Sequence, residues 1–513
     1  MDKSWFDVME SKIPHGGVRT RFAPSPTGYM HVGGLRTALY AYLIAKKPDG
    51  TFILRIEDTD SARFVEGATE IITNTLKETG LLYDEGPDIG GPVAPYTQSE
   101  RRDIYPPYAE LLCEKGAAYY CFCAKEDEST QNTDRHSGAM PHSPTEDDPC
   151  RDLPYEGSKR RVDAGEPFVV RMKAPRVGET TVTDMVFGEI TAQNITMDDM
   201  VLLKRDGMPT YNFANVVDDH LMGITHVMRG SEYISSAPKY NVLYKAFGWE
   251  IPAYITVSPV MRDAQNKLSK RHGDPTYDDL LSQGYLPDAV LNYVALLGWS
   301  PGGEREIFAL QDMIEVFDVN GISKSPAIFD LEKLNHFNSE YIRAMTPEQF
   351  TEIARPYIRQ AVKNDNLPVC EIAAILQARC EKLTDIPGKI DFFDVMPEYD
   401  AELYTHKKSK TDEMISLAML RSAKTTLVAL SDLTNEAIHN SLIALAEELG
   451  VKNATLLWPV RIAVSGKAVT PGGAVELCRI LGRDETLRRI GAGIEKLGVL
   501  DLCPKLPRED SYE

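Results

Sequence analysis

The chain has 513 residues, with 56 Lys plus Arg against 76 Asp plus Glu, a net charge of −20 and 43% hydrophobic residues. Its length allows several domains of roughly 100–200 residues, and its acidic balance leaves only local basic patches for any contact with nucleic-acid phosphates. No apolar run of about 18 residues reads as a membrane span, Met1 to Gly17 lacks the layout of a secretory signal, and eight cysteines in so long a chain fit a reducing cytoplasm rather than a disulfide scaffold.

Val18 to Phe22 reads as the first strand. A turn rich in Pro and Gly, Ala23 to Gly28, leads to a helix over Gly34 to Lys46 and a second strand over Phe52 to Ile56. Strand, turn, helix and strand within about 40 residues make a βαβ unit, which implies a parallel sheet. Another helical pattern covers Glu66 to Leu76. The expected fold is therefore α/β, an open, doubly wound Rossmann-type sheet. From about Gly116 the character changes. Glu126 to Asp148 is polar and aperiodic, a long loop or insertion. Strand patterns follow at Phe168 to Met172 and Glu179 to Met185, and alternation over Tyr211 to Val217 is expected to return the chain to the main sheet. Beyond about Asp274 the pattern is helical, with Pro287 near a helix start and Ile438, Leu442, Leu445 and Leu449 at helical spacing. These shifts put boundaries near 120, 195, 260, 340 and 420.

Two segments carry chemistry. Arg21 to Gly34 lies where the first strand hands over to the first helix. Ligands bind beyond the carboxyl ends of strands in doubly wound sheets, and helix N-termini favour phosphate. Gly33 and Gly34 let the backbone approach a ligand, and His31 can donate a hydrogen bond to a phosphate oxygen. The second segment, Lys267-Leu268-Ser269-Lys270-Arg271, sets three cations in five residues, fit to stabilise charge on a triphosphate. Taken singly, an H-x-G string is more often a plain turn, and a K-x-S-K string a surface loop. The other basic clusters are Lys159-Arg160-Arg161, Lys204-Arg205 and Arg488-Arg489. A P-loop is excluded, because Ser465-Gly466-Lys467 lacks the upstream glycine, and no G-x-G-x-x-G follows the first strand.

Together, in order and separation, the two segments resemble the HIGH and KMSKS signatures of class I aminoacyl-tRNA synthetases, written here His31-Val32-Gly33-Gly34 and Lys267 to Arg271. Gly34 and Arg271 depart from the signature residues, as is common in the glutamyl subfamily. Further strings resemble bacterial-type glutamyl-tRNA synthetases: Arg55 to Asp60, Tyr96 to Arg101, Pro209 to His220, Arg229 to Glu232, Phe329 to Leu334 and Thr470 to Gly472. The resemblance covers nearly the whole chain.

It implies a glutamate–tRNA ligase that consumes ATP with Mg2+, forms glutamyl-adenylate and pyrophosphate, and transfers glutamate to tRNA(Glu); an alternative is an enzyme that also glutamylates tRNA(Gln). It implies that Arg21 and Tyr211 hold the side-chain carboxylate of L-glutamate, that Ser25, Glu57 and Asn215 surround its amino group, and that Arg229 meets its α-carboxylate. His31, Gly33, Gly34 and Ala23 would line the ATP site, with Glu232 near the ribose or adenine and Lys267 and Lys270 on the phosphates. The bland alternative for Glu57 and Asp58 is helix capping, and for Arg21 a routine ion pair. Some members carry a C-x-C, C-x-H zinc site, and Cys121, Cys123, Cys150 and Asp152 stand at those positions here, with Asp in place of His; His136 and His142 are further candidates. The implied domains are catalytic (1–120 and 195–260), an acceptor-stem-binding insert (121–194), a helical stem-contact domain (261–340) and two helical anticodon-binding domains (341–420 and 421–513). The resemblance also implies a cytoplasmic monomer without membrane contact.

Overall fold

The computed structural model describes residues 3–60, 65–123, 148–268 and 273–501. Two compact units divide the chain: Met1–Leu281 with Pro287–Leu334, and Ser282–Leu286 with Asn335–Glu513.

The strands of the first unit are β1 (Arg19–Phe22), β2 (Thr51–Leu54), β3 (Ala118–Cys121), β4 (Val169–Met172), β5 (Glu179–Asp184), β6 (Gly188–Gln193), β7 (Val201–Leu203), β8 (His226–Gly230), β9 (Ala253–Val257), β10 (Val260–Met261) and β11 (Ala327–Ile328). Six of them form one sheet in the order β2-β1-β8-β9-β5-β6. The pairings from β2 to β5 are parallel, and β6 closes the edge antiparallel to β5. Every residue of β1 is buried, as a strand covered on both faces must be. The connection from β1 to β2 is the helix Val32–Lys46, which buries Leu35, Leu39 and Leu43 at steps of four together with Ala38 and Ala45. The expected βαβ unit is present.

The segment expected as an insertion from 121 to 194 divides in two. β3, β4 and β7 make a separate antiparallel sheet, while the hairpin β5–β6 joins the larger one through Asp184 opposite Tyr254. One sequence expectation fails here. Tyr211 to Val217 is no strand; it opens the helix Tyr211–Leu221. Phe213, Val216 and Val217 fall at i, i+3 and i+4, and all three are buried. The helical period wins because the core wraps most of this helix, so its aromatic and β-branched residues are no argument for a strand.

The second unit is helical. The helix Glu413–Ala429 packs against Asn435–Glu448, Asn453–Ser465 and Arg483–Asp501. The sequence boundary near 420 falls inside the first of these. Ile438 and Leu442 are fully buried, as their spacing predicts. Ser465 ends its helix at Gly466, whose φ of +66° suits a left-handed cap. Among the described residues, no helix is long and apolar enough to cross a membrane.

Candidate active site

Three neighbouring parallel strands deliver the site from their carboxyl ends. The chain after β1 holds Ala23, Ser25 and the turn to His31; the chain after β2 holds Arg55 and Glu57; β8 and the turn Ser231–Tyr233 hold Arg229 and Glu232. The helix Tyr211–Leu221 adds Tyr211, Asn215, Asp218 and Asp219, which share one face at i, i+4, i+7 and i+8.

A buried ion network forms the floor. Arg21 grips Asp219 with two prongs, Nε to Oδ1 at 2.9 Å and Nη2 to Oδ2 at 3.2 Å, and its Nη1 donates to the Met228 carbonyl at 3.1 Å. These bonds use three of its five N–H donors, so two remain for a ligand carboxylate. Arg55 is fully buried and bridges Asp219, at 2.7 Å, to Glu57 Oε1, at 2.8 Å. Burial alone would raise the Asp219 carboxyl, but Arg21 and Arg55 outweigh it and hold it below its ordinary value. For Glu57 burial wins, and its carboxyl rises above the ordinary value despite Arg55 and Arg21. Its second oxygen, Oε2, is buried and has no hydrogen-bond partner among the described residues.

Arg229 is also buried, with its guanidinium 4.9 Å from the ring centre of Tyr240 and 4.8 Å from that of Tyr254. Among the described residues its Nε has no hydrogen-bond partner. The Tyr211 ring lies 5.4 Å from that of Tyr233, and the charges of Glu57 and Arg229 both act on the Tyr211 hydroxyl. The structure thus gathers Arg21, Glu57, Tyr211 and Arg229 into one neighbourhood. Asn215 is buried beside them, its amide donating to the Tyr211 carbonyl at 2.9 Å. Ser25 is exposed at the surface of the turn.

His31 caps the helix Val32–Lys46, and its Nδ1 accepts from the Gly34 amide at 3.1 Å. In neutral imidazole that acceptor leaves the proton on Nε2, which becomes the outward donor. Loss of hydration, then the nearby Lys267, keep the imidazole pKa below its ordinary value. Lys267 Nζ lies 4.0 Å from Glu232 Oε2, an ion pair at the edge of the site. Lys270 lies outside the described residues. A Cβ on Gly33 would stand 3.1 Å from the His31 ring, which would have to give by a few tenths of an ångström. Gly33→Ala is expected to push the ring aside and raise the KM for ATP by roughly tenfold, equivalent to about 1.4 kcal/mol. Steady-state kinetics with ATP varied check this.

A model of the catalytic domain of tRNA synthetases class I (E and Q) matches residues 17–336, and a model of an anticodon binding domain matches residues 349–494. The chain belongs to the class I tRNA synthetases (E and Q). A glutamate–tRNA ligase of Clostridium tetani is 56% identical over 480 residues, which are 94% of this chain and 98% of that protein. A glutamate–tRNA ligase of Clostridium botulinum is 55% identical over 483 residues, with 94% and 99% covered. Among solved structures, a glutamate tRNA ligase from Elizabethkingia meningosepticum, crystallised in complex with its amino acid, superposes with a TM-score of 0.82 at 35% identity, covering 94% of this chain and 100% of that one. The parallel-sheet α/β unit is therefore a synthetase catalytic domain, and the helical unit carries the anticodon-binding domain.

Arg55 and Asp219 lie within the strings that carry the family resemblance, yet their part in the site appears only in the fold. The pair is 164 residues apart in sequence.

The thiol cluster needs a correction. Cys121, Cys123 and Cys150 do come together, but the carboxylate beside them is Asp148, and all four donor atoms lie within 4.8 Å of one another. Asp152 points away, 86% exposed, and pairs with Lys173 at 3.0 Å. The cause is local. The Cys150 amide donates to Asp148 Oδ1 at 2.8 Å, which folds that carboxylate back onto the thiols. Burial and the Asp148 carboxylate raise the Cys121 thiol, and burial followed by Cys150 raises Cys123. His136 and His142 lie outside the described residues.

Proposed function

We infer that this chain is a glutamate–tRNA ligase that activates glutamate with ATP and transfers it to tRNA(Glu). The carrying observation is the charge balance of the buried floor. Three guanidinium groups, Arg21, Arg55 and Arg229, share the buried floor with two carboxylates, Glu57 and Asp219, while Asp218 is neutralised by Arg101, so one positive charge is in excess. Glutamate at neutral pH carries two carboxylates and one ammonium, one net negative charge. Its ammonium suits the unpartnered Glu57 Oε2, and its α-carboxylate suits Arg229. Its side-chain carboxylate takes the two remaining Arg21 donors, beside the Tyr211 hydroxyl. Ser25 and Asn215 complete the amino-group side.

The reaction needs no protein nucleophile. The glutamate α-carboxylate attacks the α-phosphorus of ATP, and pyrophosphate leaves. The terminal adenosine hydroxyl of tRNA then attacks the acyl carbon and releases AMP. Held orientation and charge stabilisation supply the rate. His31 Nε2–H donates to phosphate oxygen, backed by Gly33, Gly34 and Ala23. Lys267 and Lys270 offset charge developing on the phosphates, and Glu232 faces the nucleoside. Magnesium carried with ATP shares that charge. Glutamylation of tRNA(Gln) as a second product finds no support in the comparisons. Incubation with radiolabelled glutamate, ATP and bacterial tRNA tests this reading. Labelled tRNA with stoichiometric AMP and pyrophosphate is expected, and its absence would overturn the reading.

The donors Cys121, Cys123, Asp148 and Cys150 fit a tetrahedral zinc ion, with three soft sulfurs and one oxygen. Bound zinc would cross-link β3 to the chain at Asp148 and Cys150 and would take up the thiolates that burial otherwise disfavours. About one zinc per chain is expected in protein prepared without chelator, falling to none in Cys121→Ser/Cys123→Ser. Elemental analysis reads this directly.

A further inference from the structure

The basic clusters most visible in the sequence are largely neutralised in the fold. Lys159 pairs with Glu110 and Asp163, Arg161 with Glu166, and Arg488 and Arg489 with Glu485. Lys204 is turned to the Thr59 carbonyl. The helical unit holds a different arrangement. Lys407, Lys408 and Lys410 are exposed on one short loop, and among the described residues none of them forms an ion pair. Two acidic side chains beside the loop are turned to backbone amides: Asp412 caps the helix Glu413–Ala429 by accepting from the Ile415 amide at 2.7 Å, and Asp400 accepts from the Glu402 amide at 3.1 Å.

The loop is also held rigid. The amides and carbonyls of His406 and Thr411 bond to each other at 3.1 and 3.2 Å and close its neck. The His406 ring stacks on Trp458 at 3.8 Å and 8°, and its Nδ1 meets Ser409 Oγ at 2.8 Å. The Ser409 carbonyl accepts from Thr455 Oγ1 at 2.7 Å, which anchors the loop to the first turn of the helix Asn453–Ser465. Lys452 caps that helix and adds a fourth exposed or half-exposed cation at the same end. Lys410 keeps φ at +55°, a left-handed turn that non-glycine residues rarely adopt and that the staples maintain. A surface loop with no ligand has little need of three uncompensated cations on so fixed a backbone, in a chain of net charge −20. Pre-ordered cations bind phosphate with less entropy to lose.

We propose that the loop 406–411, with Lys452, is an RNA-backbone contact of the helical unit, gripping consecutive phosphates of the tRNA. It rests on the ligase reading given above. Contacts of this kind fix register and carry no base information, so they act on tRNA affinity and not on the chemical step. Acceptance of a range of tRNA sequences at this contact follows from the same chemistry.

The test is a triple substitution, Lys407→Ala/Lys408→Ala/Lys410→Ala, in the full chain. Binding of bacterial tRNA is followed by fluorescence across a salt series, and charging with glutamate is followed in parallel. The variant is expected to bind about tenfold more weakly at low salt, with the slope of log K against log salt shallower by about 2 to 3. The KM for tRNA should rise, while kcat and the KM for glutamate stay within twofold. The Lys→Arg triple should restore binding, and an unchanged melting temperature excludes misfolding. If the wild type charges glutamate but binding and salt slope match in wild type and variant, the loop assignment falls and the ligase reading stands. If the wild type neither binds nor charges tRNA, both fall.

Discussion

Replacing Arg229 by leucine will lower kcat/KM for glutamate by about a hundredfold to a thousandfold and leave the fold intact. Arg229 is 8% exposed, has its guanidinium 4.9 Å from the ring centre of Tyr240 and 4.8 Å from that of Tyr254, and leaves its Nε without a hydrogen-bond partner among the described residues. A buried guanidinium without an anion is unfavourable unless a ligand brings one. The two rings hold the group in place by cation–π attraction while the site is open. Removing one side of a buried charge pair costs about 3–5 kcal/mol, and each 1.4 kcal/mol is about tenfold in rate. The penalty falls on the complex, because the free protein has no Arg229 ion pair to lose among the described residues. The melting temperature should therefore hold while catalysis collapses. Arg229→Lys should rescue poorly, since a compact ammonium cannot offer a carboxylate a planar, two-pronged edge.

Glu57→Gln is expected to raise the KM for glutamate about a hundredfold, from roughly 3 kcal/mol lost when a charged acceptor becomes neutral. The pH profile gives a sharper reading. If Glu57 receives the substrate ammonium as proposed, it does so only when ionised. Burial lifts its carboxyl above the ordinary glutamate value, so its proton returns sooner as pH falls. In the wild type, kcat/KM for glutamate should decline on the acid side with a midpoint above that of a free glutamate side chain. The Gln variant should lack that limb. An unchanged acid limb in the variant would assign the titration to another group.

Much of the site is legible in the sequence because it is local. Arg21 to Gly34 runs along one strand, one turn and one helix start, although the sequence put that start at Gly34 and the helix begins at Val32, with His31 at its N-cap. The long-range partners are not legible in this way. Asp219 matters because Arg21 and Arg55 converge on it from two strands, and only the parallel register of β1 and β2, with Arg21 opposite Ile53, brings them there. The Tyr211 segment misled because alternation over the seven residues Tyr211 to Val217 is too short a window to separate strand from helix, and the polar face that marks the helix is completed only by Asp218 and Asp219 beyond it. Asp152 misled through a family spacing. The backbone bond from Cys150 turns Asp148 inward, two residues earlier, and leaves Asp152 to Lys173. The basic strings carry no site in the sequence reading, and in the fold Arg161, Arg488 and Arg489 pair with nearby glutamates.

The central claim is that the buried floor, with one positive charge in excess, selects an amino acid carrying one net negative charge. Glutamine is nearly isosteric with glutamate but neutral overall, so it would leave that excess unmatched. The most direct measurement is kcat/KM for charging the same tRNA preparation with labelled glutamate and with labelled glutamine, at equal concentrations and saturating ATP. Efficient charging is expected with glutamate and none detectable with glutamine. Comparable charging with both would contradict the claim, because the arginines of the floor would then not be reading the substrate's charge.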